Sequence, residues 1–310
     1  MGESMPHTVR VFQVDAFTSQ RFCGNPAGVV LEADGLSDAQ MQAIARELNN
    51  GDTAFVLLPD GADHDLRVRF FTPRREAAFV GHATVAVHAV RAALQLSPVS
   101  RQKQRSGIVD IDTVAGSSPA RIAIHHPPLP LQRPLQPAEV VALLAALSVE
   151  PGQLDPRCPP TIAGDSSKRI LLALQDGDHL AHLQPDLSRL SALSDQLGVP
   201  GFFVYSLRPR VPEVFSEARM FCPALGIPED PVSGNAHAML GAFLFHQGLL
   251  AGPQRTDTDS DTIEFTGAQG HHVGRPGRVL VALDVRQQQL ESVSIIGEAV
   301  IVFSATLDFE

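Results

Sequence analysis

The chain has 310 residues, 44 % apolar and 19 % charged, enough to bury a core without disulfides or a structural metal. Its net charge is −10 and no run of Lys and Arg offers a phosphate-tracking face, which argues against nucleic acid as a partner. The three cysteines, Cys23, Cys158 and Cys222, are odd in number and lack C-x-x-C spacing, so neither a disulfide framework nor a zinc site is expected. That cysteine usage fits a reducing cytoplasm, the expected location. The opening residues carry no apolar h-region, and no stretch reaches about 18 consecutive apolar residues, so neither a signal peptide nor a membrane span is expected.

Residues 9–16 alternate apolar and polar side chains and predict a half-buried strand. The turn cluster Phe22-Cys23-Gly24-Asn25-Pro26-Ala27-Gly28 leads into an apolar strand at 29–31. Ser37 is a candidate N-cap for a helix over 38–48, with Met41, Ile44, Ala45 and Leu48 on one stripe. Strands follow at 53–58 and 66–72, the second stopped by Pro73, and Gly81 opens a helix running to Leu94. Later in the chain, 169–174 reads as a strand, 187–197 as a helix, 202–206 and 216–221 as strands, and Pro223 stops the last of these. Gly234 then opens another helix. The proline-rich stretch after 127, with Pro134 and Pro137, marks the crossover, and 290–303 reads as two late strands. The last strand is expected to return to the first half.

The two runs share one order: strand, helix, turn, strand, strand ending before proline, loop, glycine, helix. Local text repeats as well. Ala54-Phe55-Val56-Leu57 answers Phe202-Phe203-Val204-Tyr205 at an offset of 148. Arg69-Phe70-Phe71-Thr72-Pro73 answers Arg219-Met220-Phe221-Cys222-Pro223 at 150, and Gly81-His82-Ala83 answers Gly234-Asn235-Ala236 at 153. The chain therefore reads as two related halves. The expected boundaries are 8–126 for the N-terminal lobe, joined by 295–310, and 127–294 for the C-terminal lobe.

A helix start presents unpaired backbone N–H groups and partial positive charge. Two such starts, each led by glycine, suit a carboxylate or phosphate. An acidic chain can hold an acidic small molecule in this way. Asp52, His82 and Asp230 lie beside these starts and supply two carboxylates and an imidazole, groups suited to moving a proton at carbon. Each also has a plain structural reading: Asp230 starting a turn before Pro231, His82 capping its helix, Asp52 capping a loop.

Together, Phe22-x-Gly24-Asn25-Pro26-Ala27-Gly28-Val29-Val30, Phe71-Thr72-Pro73 with Gly81-His82-Ala83-Thr84, and Glu229-Asp230-Pro231-Val232-Ser233-Gly234 resemble the PhzF-like family of phenazine-biosynthesis isomerases. The likeness runs from about residue 9 to the C-terminus. It implies an α/β chain of the α+β type with the diaminopimelate-epimerase-like fold: two pseudo-symmetric lobes, each a mainly antiparallel sheet wrapped around a central helix. It implies a cofactor-independent isomerase whose site lies in the interlobe cleft, acting on a small carboxylate-bearing metabolite, in a protein that forms homodimers. The family's acid/base carboxylate falls on Asp52, its assisting His on His82 and its assisting Asp on Asp230. Gly81, Ala83, Ser233, Gly234 and Asn235 fall at the substrate-binding helix starts.

Two departures bear on the substrate. Asp stands at 52 where the family has Glu, one methylene shorter, and Asn235 replaces a Ser. Both argue against the family's dihydro-hydroxyanthranilate as the substrate. A two-thiol epimerase is disfavoured because Val80 and Ser233 occupy the positions where related epimerases carry cysteine. A racemase or epimerase with a single carboxylate base, and a non-catalytic metabolite-binding protein, remain as alternatives. No metal is expected at His125-His126, His271-His272 or His179-x-x-His182, and no G-x-G-x-x-G follows a strand, so no nucleotide cofactor is expected. The halves are asymmetric in chemistry: in sequence Asp52 has Pro200 opposite it, and His82 has Asn235.

Overall fold

The computed structural model describes residues 7–114, 119–165, 167–250 and 260–309. The chain divides into two compact units, Met1–His125 with Ile296–Glu310, and His126–Ile295. The fold is mixed α/β, with sheet dominating.

The first unit runs β1 (His7–Ala16), β2 (Asn25–Leu31), α1 (Asp38–Leu48), β3 (Asp52–Leu57), β4 (Leu66–Phe71), β5 (Glu76–Ala77), α2 (Gly81–Ala93), β6 (Arg101–Gln104), β7 (Gly107–Val114) and β8 (Arg121–His126). Strand β1 pairs antiparallel with β2, β2 parallel with β3, and β3 antiparallel with β4. Strand β4 pairs antiparallel with β5 and parallel with β6, and β6–β7–β8 continue antiparallel. The two parallel pairs are those that a helix connects, because a parallel return needs a crossover.

The second unit runs β9 (Leu131–Pro134), α3 (Pro137–Leu147), β10 (Thr161–Ala163), β11 (Arg169–Leu174), α4 (Gly177–Ala181), α5 (Leu187–Leu197), β12 (Gly201–Ser206), β13 (Ser216–Cys222), β14 (Ile227–Asp230), α6 (Gly234–His246), β15 (Ser260–Gln269) and β16 (Gly277–Arg286). Its pairing repeats the first unit: β10 antiparallel to β11, β11 parallel to β12, and β12 antiparallel to β13. Then β13 is antiparallel to β14 and parallel to β15, and β15 is antiparallel to β16. The final strand, β17 (Gln289–Phe309), is one continuous element where the sequence suggested two. It pairs antiparallel with β1, with one register shift between Gln13 and Val14. A bulge of this kind absorbs an extra residue without ending the strand.

In each unit one helix is buried on every side. In α2, the residues from Ala83 to Val90 are all buried, and in α6 so are those from Ala236 to Leu244. A helix that is apolar all round belongs inside its fold. The amphipathic helices cover the other face of the sheets. Met41, Ile44 and Ala45 of α1 join Phe55, Leu57 and Phe71 in one cluster, while Leu190 and Leu193 of α5 join Phe202, Val204 and Phe221 in another. Helix α1 begins where expected, with Ser37 and Gln40 forming a capping box. Helix α3 was hidden by its prolines. Pro137 sits in its first turn, where proline is tolerated, rather than in a linker.

The strand faces correct the sequence alignment of the halves by one residue. Phe55 faces α1, yet Phe203 lies against His237 of α6, so the two cannot be equivalent. Thr53 pairs with Phe71, and Phe202 pairs with Phe221. The counterpart of Thr53 is therefore Phe202, and that of Asp52 is Gly201 rather than Pro200. A one-residue slip moves every side chain to the other face, which is why matching letters misled here.

The core around each central helix is filled differently. In the first unit Gln102 reaches inward, its Oε1 2.9 Å from His88 Nε2 and its Nε2 3.3 Å from Thr84 Oγ1. Its counterpart beside β13 is Gly267, where a Cβ would meet His237 Cδ2 at 2.3 Å. His237 occupies the space that Gln102 fills in the other unit. Burial holds both His88 and His237 down to about 4. Their folded pKa values lie below the unfolded value, so unfolding takes up protons as the pH falls. The stability they contribute is present in full above about pH 6.5 and lost as pH falls toward 4, at about 1.4 kcal/mol per pH unit for each group. Urea unfolding of wild type should show a clear drop between pH 7 and pH 5, shallower in His88→Gln; a flat profile would contradict burial of neutral imidazoles.

Candidate functional site

In the first unit, Asp52 is the first residue of β3 and lies across from Ala27 on parallel β2. Its side chain points toward α2, as those of Ala54 and Val56 must by alternation. His82 is the second residue of α2, behind Gly81. His82 Nε2 lies 3.8 Å from Asp52 Oδ2, and the two side chains are 11 % and 13 % exposed. That distance is beyond a hydrogen bond, and Nε2 has no other partner among the described residues. Burial pushes His82 down to about 4, so the imidazole is neutral near pH 7. Its place in the first turn of a helix disfavours the cation further. A carboxylate and a neutral imidazole thus face one another across 3.8 Å.

The helix start is built for close approach. The N-cap is Val80, whose side chain makes no cap bond, so the first-turn amides at Gly81, His82 and Ala83 have no intrahelical acceptor. Thr84 turns inward and donates from Oγ1 to the Val80 carbonyl at 2.9 Å. The Phe22-to-Gly28 motif takes a structural part. Gly24 sits at φ +61, where a Cβ would lie 2.1 Å from the Ala16 carbonyl oxygen, and Asp15 Oδ2 accepts from the Phe22 amide at 2.6 Å. Only glycine fits that turn, which sets the register of β1 against β2.

In the second unit, Asp230 ends β14 and lies across from Met220 on β13. Ser233 is the N-cap of α6, its Oγ accepting from the Ala236 amide at 3.3 Å. Gly234 and Asn235 are the first two helical residues. Gln269, buried on β15, ties this loop together: its Nε2 donates to the Asp230 carbonyl at 2.7 Å and its Oε1 accepts from the Ser233 amide at 3.0 Å. Gln269 escapes a reading of the sequence because it lies 36 positions from Ser233 and reaches it only through β13–β15 pairing. Cys222 is buried here with its pKa pushed up to about 12, so it stays a neutral thiol and is no base. Among the described residues no group of three or more His, Cys, Asp or Glu is arranged to hold a metal. No described helix is long and apolar enough to cross a membrane.

A glycine-led, centrally buried helix recurs in each unit, and at the start of the first an acid and an imidazole lie 3.8 Å apart. The family model of phenazine biosynthesis-like proteins matches residues 14–305. An isomerase named YddE from Salmonella typhimurium is 40 % identical over 298 residues, covering 96 % of this chain and 97 % of its own. The Bacillus anthracis phenazine biosynthesis protein of the PhzF family is 25 % identical with a TM-score of 0.82, covering 97 % of this chain and 99 % of that one. A predicted epimerase from Pseudomonas aeruginosa is 26 % identical with a TM-score of 0.77, covering 96 % and 98 %. The chain belongs to the phenazine biosynthesis-like family, and it is an isomerase.

The Gln269 bridge has a measurable role. Gln269→Ala removes one bond from the part-buried Asp230 carbonyl and one from the buried Ser233 amide, and a buried polar group stripped of its bond costs about 1–3 kcal/mol. The variant should unfold at lower urea than wild type while Gln269→Glu, which keeps the acceptor to Ser233, loses less. Equal midpoints for the alanine variant and wild type would remove the bridge from the account.

Proposed function

We propose that the chain moves a proton between carbon atoms of a small carboxylate substrate, with Asp52 as the group that removes and returns it. The observation that carries this reading is the Asp52–His82 pair, held 3.8 Å apart at the start of a buried helix. A carboxylate so enclosed can take a proton from a carbon acid, and a neutral imidazole beside it can donate a hydrogen bond to the developing enolate. The amides at Gly81 and Ala83 suit the substrate's carboxylate. Asp230 and the second helix start, Ser233, Gly234 and Asn235, are proposed to hold and polarise the substrate, as the family likeness implies. The shorter arm of Asp52 favours a substrate other than the family's ring compound, because a misplacement of about 1 Å costs on the order of 100-fold in rate.

The absence of a carboxylate opposite Asp52's place in the second unit, where Gly201 stands, supports an isomerase with one acid over a symmetric two-base epimerase. A racemase or epimerase using Asp52 alone is the second reading; loss of chirality in the recovered substrate would select it.

The test is solvent-deuterium incorporation into carboxylate metabolites, followed by mass spectrometry. Wild type should label at least one compound, and Asp52→Ala should slow labelling by at least about 100-fold. His82→Gln should lower kcat more than it changes KM. Because the imidazole is already neutral, the wild-type rate should show no His82 ionisation above about pH 5. Tight metabolite binding without labelling would instead identify a binding protein.

A further inference from the structure

The repeat shows what stands in the second unit where Asp52 stands in the first. Parallel β2 and β3 put Ala27 across from Asp52; parallel β11 and β12 put Arg169 across from Gly201. With Asp52 and Gly201 equivalent, Ala27 and Arg169 are equivalent too. The small residue and the functional residue have changed strands. Ile170 and Leu172 face α5, so Arg169 projects toward α6, as Asp52 projects toward α2. A Cβ on Gly201 would lie 2.6 Å from Arg169 Cδ and 2.9 Å from its Nε. The Arg169 side chain therefore lies across the vacant Gly201 position, in the space that answers the Asp52 carboxylate.

Crossing Gly201 carries the guanidinium toward β13. The same vacant Cβ position lies 2.8 Å from Met220 Cε, and Met220 pairs with Asp230 on β14. Cys222, the next inward-facing residue of β13, feels both charges: Arg169 favours its thiolate and Asp230 opposes it. The guanidinium is nonetheless poorly satisfied. Among the described residues its side chain makes one hydrogen bond, Nη1 to the Lys168 carbonyl at 2.7 Å, and its Nε is buried with no partner. A buried guanidinium N–H without an acceptor is costly and rare unless a ligand completes it.

We propose that Arg169 is an anion-recognition residue, which receives a carboxylate-bearing ligand over Gly201, beside Asp230. A planar guanidinium with open donors matches a carboxylate by paired N–H···O bonds. Gly201 is what makes room: any side chain there would displace the arginine. Asp230 on the neighbouring strand sets the second polar contact, so the ligand carries a hydrogen-bond donor near its carboxylate. This assignment rests on the reading of the chain as acting on a small carboxylate, but not on Asp52 being the acid.

The experiment follows the Arg169 Nε–H resonance of the 15N-labelled full chain, assigned by its loss in Arg169→Lys. Benzoate, 2-aminobenzoate and inorganic phosphate are titrated separately, with neutral benzamide as control. A carboxylate should shift the resonance and benzamide should not. Arg169→Gln should weaken carboxylate binding at least about tenfold, and Arg169→Lys less. Gly201→Ala, which touches only the flexible ends of Arg169 and Met220, should weaken it as well, with the fold checked by the amide spectrum. A shift by phosphate alone would overturn the carboxylate assignment. No shift by any anion, or unchanged binding in both Arg169→Gln and Gly201→Ala, would overturn the proposal. Anion binding through Arg169 with no deuterium labelling by wild type would sink the proton-transfer reading and leave this one standing. Labelling with unchanged KM in Arg169→Gln would do the reverse.

Discussion

A helix buried on every side must still bring its unpaired end groups to some surface, and α2 and α6 meet that constraint in the same way. Both begin at a glycine, at the sheet's rim, directly after a hairpin that returns the chain from β4 or β13. The hairpins are clamped alike. Arg69 bonds Glu76 through two contacts of 2.8 and 3.1 Å, and Arg219 bonds Glu229 through two of 3.0 and 2.8 Å. Each guanidinium also lies over the phenylalanine two residues on, Phe71 or Phe221, about 5 Å from its ring centre. Fork-to-fork pairing fixes direction as well as distance, so the strand leading to the helix start has one geometry. This clamp, more than any catalytic residue, is what the two halves hold in common.

Within that shared frame the matching positions around the helix starts have diverged. Ala27, Asp52, His82 and Ala77 of the first unit answer Arg169, Gly201, Asn235 and Asp230 of the second. Each exchange pairs a small or neutral residue with a charged or titratable one. The interior shows the same complementarity, Gln102 with Thr84 against Gly267 with His237. A close-packed core tolerates such changes when volume lost on one strand is regained on its neighbour. The fold constrains the sum of two positions, and chemistry can choose which of them carries the group.

Much of this was legible in the sequence, and the reasons it was legible also mark where it failed. Helix α1 declared itself through Ser37 and a 3.6-residue stripe, and the glycine-led starts through repetition. Helix α3 did not, because its prolines read as a linker until Pro137 proved to be a first-turn residue. The two strands expected near the end are one: Gln13 pairs with Phe303 and Val14 with Ile301, so β17 carries a bulge at Val302 and runs on past it. Asp52, His82 and Asp230 could be named from motifs. Gln269 and Arg169 could not, because their positions depend on strand pairing and on which face each residue takes. The offset that aligned Phe55 with Phe203 was plausible as text and wrong as geometry. Alternation, which one sequence cannot display across a gap, decided it.

Charge gives the last step. The chain carries −10 overall, yet a carboxylate substrate needs local positive potential. His82 cannot supply it, since burial keeps the imidazole neutral near pH 7. In the first unit the donors at hand are the backbone amides at the start of α2, which carry only partial charge. In the second unit Arg169 carries a full charge, and its side chain lies across Gly201. Had the guanidinium stood across from Asp52, at Ala27, it would have held the acid ionised and blunted it as a proton acceptor. The repeat thus carries a permanent cation on one strand of the second unit and a carboxylate on the next strand over in the first, at matching places in the two frames.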